Sequence, residues 1–581
     1  MTSEERGAPV VVLQQHGRWW RYGGLERVVV ARRAEEVAGA VMAVEQAVES
    51  DNLLAAGYLA YEAGAAYGLA VHAPAPEDPP LAWFGLYRRR AAVEPPAGGG
   101  GYRFGEWQPA IDFPAYAAGV AAIRAAIARG DTYQANFTFR LTAPFAGEPW
   151  DLFARLTAAQ RAGFGAYIDL GRYVICSASP ELFFRRDGVE LESRPMKGTA
   201  ARGLTLAQDR AQMAWLHQSP KNRAENVMIV DMIRNDFGRV ARVGSVRVPA
   251  LFAVERYPTL LQMTSTVLAE SDRPLGEVLA AIFPFASITG APKVRTMQLL
   301  RELERGPRGV YTGAIGTVLP GRRAQFNVAI RTAVIDRQRG TTAYGVGSGV
   351  VWDSDATDEY AACLLKARVL SADGHEPFQL LESLLWTPDD GYSLRERHVR
   401  RLAESAEYFN FRIDIIEVAR RLDELAAGLK APAKVRLLLA ADGVTTLEVH
   451  SLAEGARTEP IRVGLARGPV SSADVFLYHK TTHRAAYDAA RASRPDCDDV
   501  ILYNERGELT ESSVANLVVT LDGRAWTPPV TSGLLAGTLR AELLDSGVIA
   551  ERNLTPDDLA RAERIELINS VRGRQVARLM E

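Results

Sequence analysis

A short polar stretch, Ser371 to Pro377, divides this chain, and that seam limits what it can fold into. On either side the hydrophobic spacing alternates between helix and strand periods, and the pattern restarts after the seam without repeating the first half. A chain of 581 residues exceeds one ordinary hydrophobic core. A polar seam with Gly and Pro then reads as a domain boundary, giving a first domain over 1–371, a linker over 372–377 and a second domain over 378–581.

The element pattern sets the fold class. In the first part, 80–87 reads as a strand, and 114–129 reads as a helix stopped by Gly130. Strands over 173–193 turn at Asp187-Gly188, and a helix covers 222–238. Strands follow at 309–319, 325–336 and 342–352, then a helix at 357–371. In the second part a helix near 397–408 precedes strands at 434–452, a helix at 482–494 and hairpins over 499–528. Hairpin-linked strands mixed with helices indicate α+β architecture in both parts rather than a doubly wound sheet.

Composition narrows the chemistry. Only seven of the 68 basic residues are lysine, at 197, 221, 293, 366, 430, 434 and 480. Where arginine is the default cation, each lysine is a candidate for chemistry that needs a neutral amine. A net charge of −2 argues against a nucleic-acid-binding surface. Three dispersed cysteines exclude a disulfide scaffold and fit a reducing compartment. The Ala/Val-rich runs are too short and too interrupted by charge to span a membrane, and Met1 to Gly7 lacks a signal-peptide pattern. The expectation is a cytoplasmic protein.

Residues 178–199 contain Ser-Pro-Glu (179–181) and Pro-Met-Lys-Gly-Thr (195–199). Around them, in order, stand Gly57-Tyr58-Leu59-Ala60-Tyr61-Glu62, Gly130-Asp131-Thr132-Tyr133-Gln134, Lys221 to Asn226, Arg234-Asn235-Asp236, Ser287 to Lys293, Tyr311-Thr312-Gly313, Arg331-Thr332-Ala333 and Gly345 to Gly349. Together they make residues 10–371 resemble the chorismate-utilising enzymes, which implies a chorismate-binding α/β sandwich-type domain. Water-activating members carry lysine at the Gln134 position, and glutamine has no basic nitrogen for that task. Anthranilate-forming members carry alanine at the Lys197 position. Lysine there resembles the aminodeoxychorismate synthase component I branch, which replaces the C4 hydroxyl of chorismate by an amino group.

That resemblance implies roles. Lys197 is the covalent catalyst, adding at C2 as the C4 hydroxyl leaves, and must be neutral to do so. Glu181 is the general acid. Arg331, Lys366 and a Gly347-Ser348-Gly349 loop contact carboxylates, and Thr289 and Tyr311 line the substrate pocket. The family holds Mg²⁺ between the glutamate matching Glu225 and a glutamate whose position here is Ala362. Glu359, one helical turn earlier, is the expected replacement ligand. Gln262 stands where many members have histidine.

Downstream, His398-Val399-Arg400-Arg401-Leu402, His479-Lys480-Thr481-Thr482, Leu509 to Asn516, Gly533 to Arg540 and Asn569 to Gly573 occur in order. Each is weak alone: the first is often only a helix face, the third often only a cap. Jointly they resemble the class IV pyridoxal-phosphate enzymes over 378–580. The resemblance implies pyridoxal 5′-phosphate bonded to Lys480, with Glu511 at the ring nitrogen. It also implies a phosphate held by Arg401, Ser570 and the N–H groups of Thr538 and Leu539 at a helix start. These motifs do not separate an aminodeoxychorismate lyase from a branched-chain or D-amino acid aminotransferase.

The pairing of halves separates them, because the lyase consumes what the synthase makes. The expectation is a bifunctional enzyme taking chorismate and ammonia to 4-amino-4-deoxychorismate, then to 4-aminobenzoate and pyruvate, in folate precursor synthesis. The rivals are an aminotransferase beside an inactive chorismate domain, and a non-enzymatic chorismate sensor or scaffold. The chain shows no glutaminase module with a cysteine in a Gly-rich turn, so a separate glutamine amidotransferase subunit is the expected partner. The second half is expected to allow a homodimer, and no nucleic-acid or membrane partner is expected.

Overall fold

The computed structural model describes residues 9–160, 163–370, 378–452 and 459–580. The opening residues and the linker expected at 372–377 lie outside them. The chain forms two compact units. One comprises Met1–Ala201 and Met213–Gly374, the other Arg202–Gln212 and His375–Glu581. No helix among the described residues is long and apolar enough to cross a membrane.

The first unit is built on antiparallel strands joined into a branched 19-stranded sheet. Two cores form against it. One packs helix Ala34–Ser50, which buries Val37, Val41, Val44 and Val48, beside helices Pro220–Gly238 and Leu275–Ile282. That spacing is the apolar stripe of a helix with one buried face. The other packs helices Phe113–Ala128 and Pro149–Gln160, together with Cys363 of helix Ala356–Ala367.

Three expected strands have different bounds. The strand expected at 80–87 runs Ala82–Val93, and the one expected at 309–319 begins at Ala314. The run 325–336 is two strands, Arg323–Val328 and Thr332–Asp336. Arg331 breaks it with φ of 52°, a left-handed conformation that no strand continues through. Its apolar neighbours hide the break from a pattern reading.

Gly345 to Gly349, called a loop as a motif, lie within strand Thr341–Val350, in agreement with the strand expected over 342–352. That strand pairs with Gln134–Gly147 along its full length. On its other side Thr332–Asp336 pairs only as far as Tyr344. The glycines therefore lie on an open edge, where alternate backbone groups lack a ladder partner.

The second unit has an antiparallel four-stranded sheet containing Leu380–Thr387, Ala433–Leu439 and Thr445–Ser451. Helices Arg395–Phe409 and Ile415–Gly428 cover one face of it. A mixed eight-stranded sheet includes parallel pairs of Ile461–Leu465 with Asp499–Tyr503 and with Gly573–Leu579.

Candidate active sites

Lys197 lies on the short strand Met196–Ala201, and its register against Leu260–Glu270 shifts between Met196 and Thr199. Such a shift re-aims a side chain. Gly198 makes it possible: its φ is 92°, and a Cβ there would sit 3.1 Å from Asn222 Cβ. Gln262 fixes the bend, donating from Nε2 to Gly198 O at 2.8 Å and accepting from Thr199 Oγ1 at 3.1 Å.

The ammonium of Lys197 points at the glycine edge. A Cβ on Gly349 would lie 3.1 Å from Lys197 Nζ and 2.7 Å from Gln134 Nε2. Gly345 admits the Tyr311 ring, and Gly347 the Thr138 side chain. Alternate glycines thus leave one strand face bare, and the Lys197 amine occupies part of it.

Charge of both signs converges here. Burial lowers the Lys197 pKa, while Glu181, Glu225 and Glu359 act to raise it. Glu181 is 3% exposed and accepts from Met196 N at 3.3 Å. Burial pushes it up to about 7, with Ser287, Lys197 and Met196 opposing. Glu225 is also raised by burial, opposed by Lys197 and Lys221. Lys366 donates to Gly347 O at 2.7 Å. Burial, with Arg331 and Lys197 contributing, takes Lys366 down to about 8 against the opposing pull of Cys363. Arg331 donates to Lys366 O at 3.0 Å. Its left-handed backbone turns it out of the sheet, toward this group rather than along the ladder.

Thr289 is fully buried, and its hydroxyl bonds the carbonyls of Phe285 and Ala286, both at 3.2 Å. It shapes the wall and offers only lone pairs inward. Two residues not named as site residues have buried polar atoms here: Gln134 Oε1 has no hydrogen-bond partner among the described residues, and the Ser287 hydroxyl acts on Glu181. Unpaired buried polar atoms are costly and mark a place built for a ligand. Their signal in sequence is a polar residue at the end of an apolar run.

Glu359 accepts from Ser348 Oγ, and from Ser354 Oγ at 2.9 Å. Glu225 and Glu359 both face Lys197, but among the described residues no three acidic, His or Cys side chains gather for a metal. The pair fits Mg²⁺ in the manner of sites with one or two carboxylates, where substrate oxygens and water complete the shell.

In the second unit a cavity of about 1340 Å³ is lined by Lys480, Glu511, Arg401, Thr538, Leu539 and Ser570, among others. Burial and nearby Arg401 bring Lys480 down to about 8. Glu511 accepts from Tyr487 OH at 2.8 Å, Leu535 N at 3.0 Å and Asn516 Nδ2 at 3.0 Å. Burial raises it to about 7.

Arg401 donates through Nε and Nη2 to Glu382 at 2.9 and 2.7 Å, and through Nη1 to Ala536 O at 3.0 Å. Its remaining Nη hydrogens are available. Glu382 also meets His398 Nδ1 at 2.6 Å, and His398 Nε2 lies 3.2 Å from Thr538 Oγ1. Burial alone would raise Glu382, but Arg401 and His398 hold it down to about 2. This acid was also missed. In Leu380-Leu-Glu-Ser-Leu384 it shares a strand face with Leu380 and Leu384, an apolar face where a carboxylate needs cations.

Helix Thr538–Asp545 begins after Gly537 with no side-chain cap, leaving its first N–H groups for an anion. A Cβ on Gly537 would sit 1.9 Å from Asn516 Oδ1, so only glycine lets the chain pass there. An uncapped helix start, a braced arginine, a depressed lysine and a buried acid fit pyridoxal 5′-phosphate. Of the seven lysines only Lys221 and Lys430 are exposed; the rest are at least partly buried.

Residues 11–372 match the family model of chorismate binding enzymes, and residues 379–579 that of class IV amino-transferases. Aminodeoxychorismate synthase of Streptomyces griseus is 44% identical over 248 residues, which cover 42% of this chain and 34% of that one. Aminodeoxychorismate synthase component 1 of Klebsiella aerogenes is 42% identical over 240 residues, covering 41% of this chain and 53% of that one. The chain thus spans from a third to about half the length of these curated relatives. The crystal structure of anthranilate synthase component I from Streptococcus pneumoniae aligns with TM-score 0.51 at 22% identity, covering 62% of this chain and 90% of that one. At that identity the likeness shows a shared fold.

Proposed function

The chain belongs to the chorismate binding enzymes through its larger part, and from that premise we propose that it converts chorismate and ammonia into 4-amino-4-deoxychorismate and then into 4-aminobenzoate and pyruvate. The observation that carries the reading is Lys197, its amine depressed by burial, set against Gly349 and ringed by three carboxylates.

In the first step neutral Lys197 Nζ adds at C2 of chorismate. The ring double bonds shift and the C4–oxygen bond breaks, with Glu181 giving its proton to the departing hydroxyl to form water. Lys197 then sheds its extra proton, Glu181 being the nearby base. Ammonia adds at C4 and the bonds shift back; the C2–nitrogen bond breaks as Glu181 returns the proton to the departing Lys197 nitrogen, which restores the lysine and leaves the new C4 nitrogen as an ammonium group. Glu181 is suited to this because burial keeps it protonated near neutrality. Arg331, Lys366 and the N–H groups of the open glycine edge bind the two substrate carboxylates. Glu225 and Glu359 would hold Mg²⁺, which would supply positive charge for the substrate's carboxylates. Ammonia comes from a separate glutamine amidotransferase subunit.

For the second step, Lys480 would hold pyridoxal 5′-phosphate, which would supply an electron sink; the substrate amine would take the lysine's place on it and so free Lys480 Nζ as a base. Glu511 keeps the ring nitrogen protonated, and Arg401, Ser570 and the start of the Thr538–Asp545 helix hold the phosphate. Lys480 Nζ takes the proton from C4 of the substrate. The C3–oxygen bond breaks, the departing enolpyruvate is protonated to pyruvate, and the ring becomes aromatic. No keto acid is consumed, which distinguishes this from transamination. A homodimer through this unit accords with the class IV resemblance.

The test incubates the protein with chorismate, ammonium and Mg²⁺ and measures 4-aminobenzoate. Product without added keto acid is expected. No product, even with a glutaminase supplied, defeats the reading.

A further inference from the structure

The cavity of the second unit carries more positive charge than a cofactor phosphate needs. Arg401, Thr538 and an uncapped helix start already form a phosphate cradle. Two further cations line the same cavity, Lys434 and Arg572. Neither side chain forms a hydrogen bond or ion pair among the described residues. The other arginines of the wall are occupied. Arg436 pairs with Glu448 at 2.8 Å, Arg574 with Glu566 at 2.6 Å, and Arg484 lies over the Tyr487 ring at 4.7 Å.

Their positions are fixed by secondary structure. Lys434 and Arg436 alternate with Val435 and Leu437 on strand Ala433–Leu439. The valine and leucine enter the core, so the two cations take the cavity face. Arg572 sits in the turn between strands Arg564–Asn569 and Gly573–Leu579. Asn569 Oδ1 holds that turn, accepting from Val571 N at 3.1 Å and Arg572 N at 2.8 Å. Lys434 is half-buried, and burial, Arg436 and Arg572 all lower its pKa. The charges that bear on it most are thus two like ones, while Glu459 lines the same cavity.

Uncompensated cations gathered in a cleft repel one another, and an arriving anion relieves them. An ordinary α-amino acid brings one carboxylate. Two cations beyond the phosphate cradle call for two. We propose that Lys434 and Arg572 are the specificity-determining pair of this site, countering both carboxylates of a cyclic dicarboxylate amine and disfavouring monocarboxylate amino acids. This rests on the lyase reading above, in which 4-amino-4-deoxychorismate is such a substrate.

The experiment uses the full holo-protein supplied directly with 4-amino-4-deoxychorismate. Lys434→Met and Arg572→Met should each raise KM about tenfold or more, with kcat changed far less, as expected for loss of a charge-assisted contact. The cofactor absorption band and cofactor affinity should be unchanged, and Lys434→Arg should restore most of the KM. Isophthalate should compete better than benzoate in the wild type and lose that advantage in both methionine variants. Wild-type activity with unchanged KM in both variants overturns the pair while leaving the lyase reading intact. Loss of cofactor affinity in the variants also overturns it, because the cations would then serve the phosphate. A wild type that releases no pyruvate from the supplied substrate defeats the lyase reading, and the proposal with it.

Discussion

The side chains that matter most are those whose protonation the fold moves. Lys197 must be neutral and Glu181 protonated for the first step, and burial pushes each in the required direction. The amine step should therefore fall above about pH 7 as Glu181 loses its proton, and on the acid side as Lys197, whose pKa burial lowers, gains one. In Glu181→Gln the alkaline fall should vanish along with most of the rate, which a kcat/KM profile on chorismate would show. Lys197→Ala should lower chorismate consumption on the order of 10³-fold or more, while pyruvate release from supplied aminodeoxychorismate is retained. Glu382 makes a different case. Its folded pKa is about 2 against an ordinary 4.5, so its contribution to stability is present above pH 4.5 and is lost as pH falls toward 2. Urea unfolding of Glu382→Gln, followed by a probe in the second unit, should show lower stability at neutral pH and a flatter acid dependence. Lys197, Glu181, Lys480 and Glu511 could be singled out as candidates because motifs name them. Glu382 and Ser287 could not be, because their meaning lies in how they are braced or paired after folding.

At the scale of elements, the strand Thr341–Val350 is the sharpest constraint. Its three glycines were legible as a motif and its span as a strand, but only the pairing with Gln134–Gly147 shows that the glycines lie on an edge. The same limit hid the break at Arg331, since apolar residues flank it on both sides. The helix expected at 114–129 was read closely, because apolar spacing and a stop residue such as Gly130 are local signals, whereas helices Ala34–Ser50, Pro149–Gln160 and Ile415–Gly428 were not named. Gly349→Ala would place a methyl group 3.1 Å from Lys197 Nζ and 2.7 Å from Gln134 Nε2. The first reaction should slow on the order of 10²-fold with little change in unfolding midpoint, because the displaced atoms are side-chain ends. Gly198→Ala differs, since φ of 92° strains any L-residue, and should cost about 1–3 kcal/mol of stability by denaturant titration as well as activity.

Taken whole, the chain joins two units whose proposed chemistries are consecutive, and each has its own lysine. In Lys480→Ala, aminodeoxychorismate should accumulate from chorismate and ammonium with neither pyruvate nor 4-aminobenzoate released, as chromatography of the reaction would show. Loss of the first step as well would mean that the two units do not work independently. The order of the halves and the seam between their patterns could be read from the sequence, whereas the grouping of Arg202–Gln212 with the second unit could not, since nothing local marks it. The placement of lysines has one more consequence. An aldehyde such as pyridoxal phosphate is itself an amine-directed reagent, and on most proteins it meets a crowd of surface amines. Here only Lys221 and Lys430 are exposed, while Lys480 waits in a cavity with its basicity reduced. Amine-selective labels and crosslinkers therefore meet few decoys on this protein, and they become reporters of its reactive interiors.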